Sequence, residues 1–316
     1  MYMHTAGSLR APRHVLIAGA AGLLAAFLTV GIVGLLRYGT NYWLYRGFDA
    51  PRDPAYVKLR GTTQRFDLAS PALGGRKQQV YVYLPPGYAT SGRRYPVLYL
   101  LHGTPGRPLA FLETVRMGVV EDELVTRHKA QPLILVMPFG STGTFTDKEW
   151  ANGFGKGQGW ATFVWRDLVR AIDARYRTIP SANARAIAGL SEGGFGAIDI
   201  ALHHPREFSV VQSWSGYERP DKLRAIFGPK LELLSRNDPM RQIVKEAPLL
   251  RRLGTSFWFY SGSADPLQRQ NRAFAAELSR LRLRHRYFEV YGGHNWALWR
   301  GNAARAYVAA ASRRSA

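Results

Sequence analysis

From Val15 to Leu36 the chain runs VLIAGAAGLLAAFLTVGIVGLL without a single charge. A helix of that length rises about 33 Å, the thickness of a bilayer's hydrocarbon core. It has no polar face, which a helix packed on a soluble core would normally show. Arg10, Arg13 and His14 precede it, and Arg37, Tyr38, Tyr42, Trp43 and Tyr45 follow where an aromatic belt belongs. A cleaved signal peptide has a shorter apolar core and a small-x-small site after it, and RYGTNYW supplies none. Residues 15–36 therefore read as one transmembrane anchor, between a tail (1–14) and a juxtamembrane linker (37–60). Arg10 and Arg13 on one side nearly balance Arg37, Arg46 and Arg52 on the other. The reading adopted puts the following domain, 61–316, outside the cytoplasm.

Beyond residue 61 the pattern changes to short apolar runs alternating with amphipathic stretches. Strands are expected at Gln79–Leu84, Val97–Leu101, Leu133–Met137, Arg185–Ala188, Ser209–Ser213, Phe257–Tyr260 and Tyr287–Val290. Several are continuously apolar, as strands buried on both faces of a sheet are. Helices are expected at Leu109–His128, Ala161–Tyr176, Gly194–His203, Gln268–Leu283 and Ala297–Ala310. Such alternation predicts a mostly parallel sheet in three layers, with its active site at the carboxyl ends of the strands.

Composition changes this picture little. The chain has 316 residues, 46% hydrophobic and 21% charged, and no cysteine. Disulfides, thiolate metal sites and a cysteine nucleophile are thereby excluded. The net charge of +21 arises from 43 basic against 22 acidic residues. It has two readings: an anionic partner such as phospholipid headgroups, or a compositional bias towards Arg, Ala and Gly. No basic cluster stands among stacking aromatics, so no nucleic-acid partner is expected.

The candidate chemistry sits at the strand ends. Gly189-Leu190-Ser191-Glu192-Gly193 is a G-x-S-x-G between a strand and a helix, the setting in which a serine is lifted on a tight turn. Its hydroxyl needs a base. His294, in Gly292-Gly293-His294-Asn295-Trp296 after the last strand, is the histidine at such an end; His203 and His204 merely close a helix. The acid is expected between serine and histidine, and Asp265 follows the strand FWFY in SGSADP. Asp199 lies within a helix; Asp221 and Asp238 have no strand before them. Asp265 would hold the imidazole's tautomer, Ser191 would attack and His294 would carry the proton. Oxyanion donors are expected from the Glu192 N–H and from Gly103 or Thr104, since Pro105 has none. His102 reads as a support for that loop.

The ordered set YLLHG, EWANG, WRDLVRAIDARYR, GLSEGG, YSGSADP and YGGHNW resembles the esterase-D-like, or putative esterase, family. That family includes S-formylglutathione hydrolases, feruloyl and enterochelin esterases and mycolyltransferases. The resemblance spans roughly residues 61–312. It implies an α/β-hydrolase fold and a cofactor- and metal-free Ser-Asp-His mechanism on Ser191, Asp265 and His294. Substrate varies within the family, so the substrate-binding residues stay open. The reading favoured is an esterase cleaving a lipid or envelope ester. An acyltransferase with the same acyl-enzyme, or a binding protein on an inactive hydrolase fold, are the alternatives.

Overall fold

The computed structural model describes residues 12–143, 146, 148–219, 224–228 and 231–312. The chain divides into two compact units, one up to Asp49 and one from Ala50 onwards. In the first, a helix runs from Arg13 to Tyr45, so the apolar stretch lies within a helix of 33 residues. It buries none of its side chains in protein. It is long and apolar enough to cross a membrane. The segment read as a linker is thus helical as far as Tyr45. From Ala50 it belongs to the second unit, where Val57 is buried and the Gly61 N–H donates to Asp122 Oδ1 at 3.0 Å.

The second unit is built on a sheet of eight strands among the described residues: β1 (Thr62–Ala69), β2 (Lys77–Leu84), β3 (Val97–Leu101), β4 (Ile134–Pro138), β5 (Arg185–Leu190), β6 (Val210–Trp214), β7 (Ser256–Gly262) and β8 (Arg284–Val290). Their order is β1-β2-β4-β3-β5-β6-β7-β8. β2 is antiparallel to both its neighbours, and β4, β3, β5, β6, β7 and β8 run parallel. Alternation along each strand divides the core between the two faces. On β3, Val97, Tyr99 and Leu101 face one cluster, with Phe257 and Phe259 of β7. Leu98 and Leu100 face the other, with Trp258 and Tyr260. Helices Glu192–His203, Pro239–Leu253 and Gln268–Arg280 cover the first face; Met117–Thr126 and Trp296–Ala311 cover the second. This is the expected three-layer α/β arrangement.

Differences have local causes. β1 was not expected, because TTQRFDLA is an edge paired only with β2 whose alternation is confined to Phe66 and Leu68, both only half-buried. The helix expected over Leu109–His128 is two, Ala110–Glu113 and Met117–Thr126, separated where Arg116 turns left-handed at φ 64°. The unforeseen helix Pro239–Leu253 contains Pro248. Pro248 and Val244 are both exposed, so the carbonyl that Pro248 cannot satisfy faces water. β8 begins at Arg284, leaving Arg282 in the preceding turn at φ 53°.

Candidate active site

Ser191 lies between the last residue of β5 and the first of its helix, with φ 54° and ψ −120°. A non-glycine residue rarely holds that conformation, and neighbouring contacts must impose it. The Ser191 N–H donates to Trp214 O at 3.1 Å. A methyl group on Gly189 would overlap the Gly193 backbone, and one on Gly193 would overlap the Leu101 carbonyl. Both glycines are therefore required by close approach of backbone to backbone. The turn leaves the serine partly exposed at the sheet's carboxyl edge.

Three side chains from three strand ends meet here. His294, after β8, places Nε2 2.9 Å from Ser191 Oγ. Its Nδ1 lies 3.0 Å from Asp265 Oδ2. Asp265 is buried just after β7 and receives further hydrogen bonds from the Ser215 hydroxyl and the Leu267 N–H. Burial pushes its pKa up, but the bonds from His294, Ser215 and Leu267 outweigh it and hold the carboxyl below its ordinary value. Trp299 supports the imidazole edge-on, 5.1 Å between ring centres at 85°. The Trp299 indole N–H is anchored on Trp214 O at 3.0 Å.

Gly103 approaches closely enough that a methyl group there would stand 3.0 Å from both Leu190 O and Ser191 Cβ. The Gly103 and Thr104 N–H groups thus lie in the loop beside the serine, and Glu192 opens the helix Glu192–His203. His102 is tied into that loop. Its Nδ1 faces Gly103 O at 2.9 Å, and its Nε2 accepts from the Gly140 N–H at 3.0 Å. Its carbonyl accepts from Trp150 Nε1 at 2.9 Å. The indole of Trp150 is fully buried against Gly140 and Gly196, where a methyl group would collide with it. The EWANG motif thereby wedges the loop from behind.

The rival acids are elsewhere. Asp199 is buried inside its helix beside His203. Asp238 caps the helix Pro239–Leu253 through Met240 N at 3.0 Å. Asp221 lies outside the described residues. Sequence reasoning missed Ser215, which has φ 56° and a donor aimed at Asp265. Nothing in its neighbourhood, SWSGY, marks it. It also missed Glu218, whose buried carboxyl has no hydrogen-bond partner among the described residues and is held well above its usual range by burial and by Asp265.

Residues 70–307 match the family described as putative esterase. The chain belongs to that family. An esterase of Mycobacterium tuberculosis is 32% identical over 247 residues, covering 68% of this chain and 52% of the relative. A diacylglycerol acyltransferase/mycolyltransferase of Mycobacterium leprae is 27% identical over 157 residues, covering 42% of this chain and 45% of the relative. The chain spans about half the length of the curated esterase it matches. A solved ferulic acid esterase superposes with a TM-score of 0.70 at 24% identity, over 80% of this chain and 99% of its own. That superposition shows the fold.

Proposed function

We propose that the protein is a membrane-tethered serine hydrolase that cleaves a carboxylic ester through an acyl-enzyme. The observation that carries this reading is the continuous hydrogen-bonded line Ser191–His294–Asp265 at 2.9 and 3.0 Å, on a strained turn at the sheet's carboxyl edge. Ser191 Oγ attacks the ester carbonyl while its proton passes to His294 Nε2. The carbonyl oxygen becomes an oxyanion and accepts from the Glu192 N–H and from Gly103 or Thr104. Collapse breaks the acyl–oxygen bond, and His294 returns its proton to the leaving alcohol. Water then attacks the acyl-serine with His294 as base, releasing the acid and restoring Ser191. Asp265 stays ionised throughout and stabilises the imidazolium.

The helix Arg13–Tyr45, long and apolar enough to cross a membrane, supports a substrate found at a membrane, a lipid or envelope ester. Full-length protein in detergent micelles, assayed on p-nitrophenyl esters from acetyl to palmitoyl, tests the reading. Turnover is expected, and Ser191→Ala should reduce it to below a few per cent with an unchanged thermal midpoint. Full activity in that variant would overturn the assignment. A glycerol or sugar acceptor added to the same assay separates hydrolysis from transfer: an acylated acceptor replacing free acid marks an acyltransferase.

A further inference from the structure

A groove of about 930 Å³ runs along the open edge of the sheet, between β8 and the helix Trp296–Ala311. None of Ser191, Asp265 and His294 lines it, so it is separate from the candidate active site. Its floor is apolar, with Trp258, Phe288, Val290 and Val308. Arg284 and Arg286 enter from β8 and Arg305 from the helix, all three exposed. Sequence alternation alone suggests Arg282 as the third arginine, but Arg282 sits in the turn before the strand. Arg300, on the same helix as Arg305, donates instead to Thr114 O at 3.1 Å.

The charges in the groove are unbalanced. The Arg286 and Arg305 guanidinium carbons lie 5.9 and 5.8 Å from the centre of the same Phe288 ring. The face of one aromatic ring attracts each of these cations. The acid in the lining, Glu289, is already engaged by Arg272 at 2.9 and 3.0 Å, by Gln268 and by Tyr287. Among the described residues, Arg284, Arg286 and Arg305 have no carboxylate partner. Guanidinium forks lining one groove without a carboxylate partner suit the oxygens of a phosphate. The apolar side chains of the floor suit hydrocarbon.

We propose that this groove binds an anionic phospholipid, its phosphate on Arg284, Arg286 and Arg305 and its glycerol-acyl part along Phe288, Trp258 and Val308. The test uses the full chain in phosphatidylcholine nanodiscs, titrated by calorimetry with monomeric dihexanoylphosphatidylglycerol. The comparison ligands are dihexanoylphosphatidylcholine, inorganic phosphate and a short oligonucleotide. The variants are a groove triple, Arg284→Gln with Arg286→Gln and Arg305→Gln, and a control triple of equal charge loss, Arg93→Gln with Arg252→Gln and Arg269→Gln. Saturable binding of phosphatidylglycerol is expected, at least 10-fold weakened in the groove triple and within 2-fold of wild type in the control. Phosphatidylcholine and phosphate should each bind at least 10-fold more weakly than phosphatidylglycerol. Equal losses in the two triples would reduce the effect to diffuse charge and overturn the site. Phosphate binding as well as the lipid would mean that the apolar floor is unused, and oligonucleotide binding best would name another ligand. Either result also overturns the proposal. A groove triple whose thermal midpoint falls is replaced by Arg305→Gln alone, with a 3-fold loss expected and no loss counting against the site.

Discussion

Asp265 is buried, which raises the cost of its charge, and yet three donors keep it ionised. Removing the charge should matter more than removing any one donor. Asp265→Asn would present an amide to His294 and favour the wrong tautomer, so kcat should fall by about 10³–10⁴. Ser215→Ala removes one donor and leaves the tautomer correct. Its kcat should fall by about 10-fold with KM unchanged, the scale of one hydrogen bond to a charged group. Because the Ser215 hydroxyl lowers the Asp265 pKa, its loss should also move the acidic limb of the pH–rate profile to higher pH. A profile that keeps its wild-type position would mean that Ser215 does not act through Asp265.

At the level of elements, the turn at Ser191 and the helix after it are held by backbone contact at one end and by a charge pair at the other. Gly193→Ala would drive a methyl group into the Leu101 carbonyl, and the turn must open to relieve it. A loss of about 2–4 kcal/mol of stability is expected, with activity falling alongside it. Equilibrium unfolding of the variant measures this, and a cost below about 0.5 kcal/mol would contradict the packing described. At the far end, burial opposes the charge on His203. The Asp199 carboxylate, its carbonyl 2.8 Å from Nδ1, and the Arg236 backbone outweigh burial and raise the His203 pKa to about 9. A histidine with a raised folded pKa stabilises fully below its unfolded value of about 6.5, and that contribution is lost as pH rises through about 9. The difference in thermal midpoint between wild type and His203→Gln should therefore shrink from pH 6.5 to pH 9. His204, stacked 4.0 Å from Trp165 and pushed down to about 4 by burial and by His203, titrates below that window.

For the whole molecule, the apolar helix Arg13–Tyr45 is the feature on which the proposed membrane tether depends. A 33-residue helix with no side chain buried in protein exposes hydrocarbon to whatever surrounds it. Water is the costliest surrounding, by about 25 cal/mol per Å². Full-length protein should stay with membranes through an alkaline carbonate wash. Release into the medium, with a new N-terminus after Leu36, would identify the segment as a cleaved leader and remove the tether from the proposed function.

The apolar strands were legible because a strand buried on both faces has to be apolar throughout, and β3, at Val97–Leu101, falls where the pattern puts it. The tight turn at Ser191 was legible because backbone crowding leaves only glycine at Gly189 and Gly193. Asp265 and His294 could be chosen from the chain because a parallel sheet sends its strand ends to one edge, so position after a strand implies position near Ser191. β1 was not legible, since this edge strand packs only Phe66 and Leu68 on the core and two positions make too short a pattern. Nor was Ser215, whose hydroxyl reaches Asp265 only because β6 and β7 are neighbours in the sheet. The basic groove likewise belongs to tertiary structure: Arg305 joins Arg284 and Arg286 through the packing of a helix on a strand. Periodicity within one segment determines which face a residue takes, but only folding determines which residue of another segment meets it there.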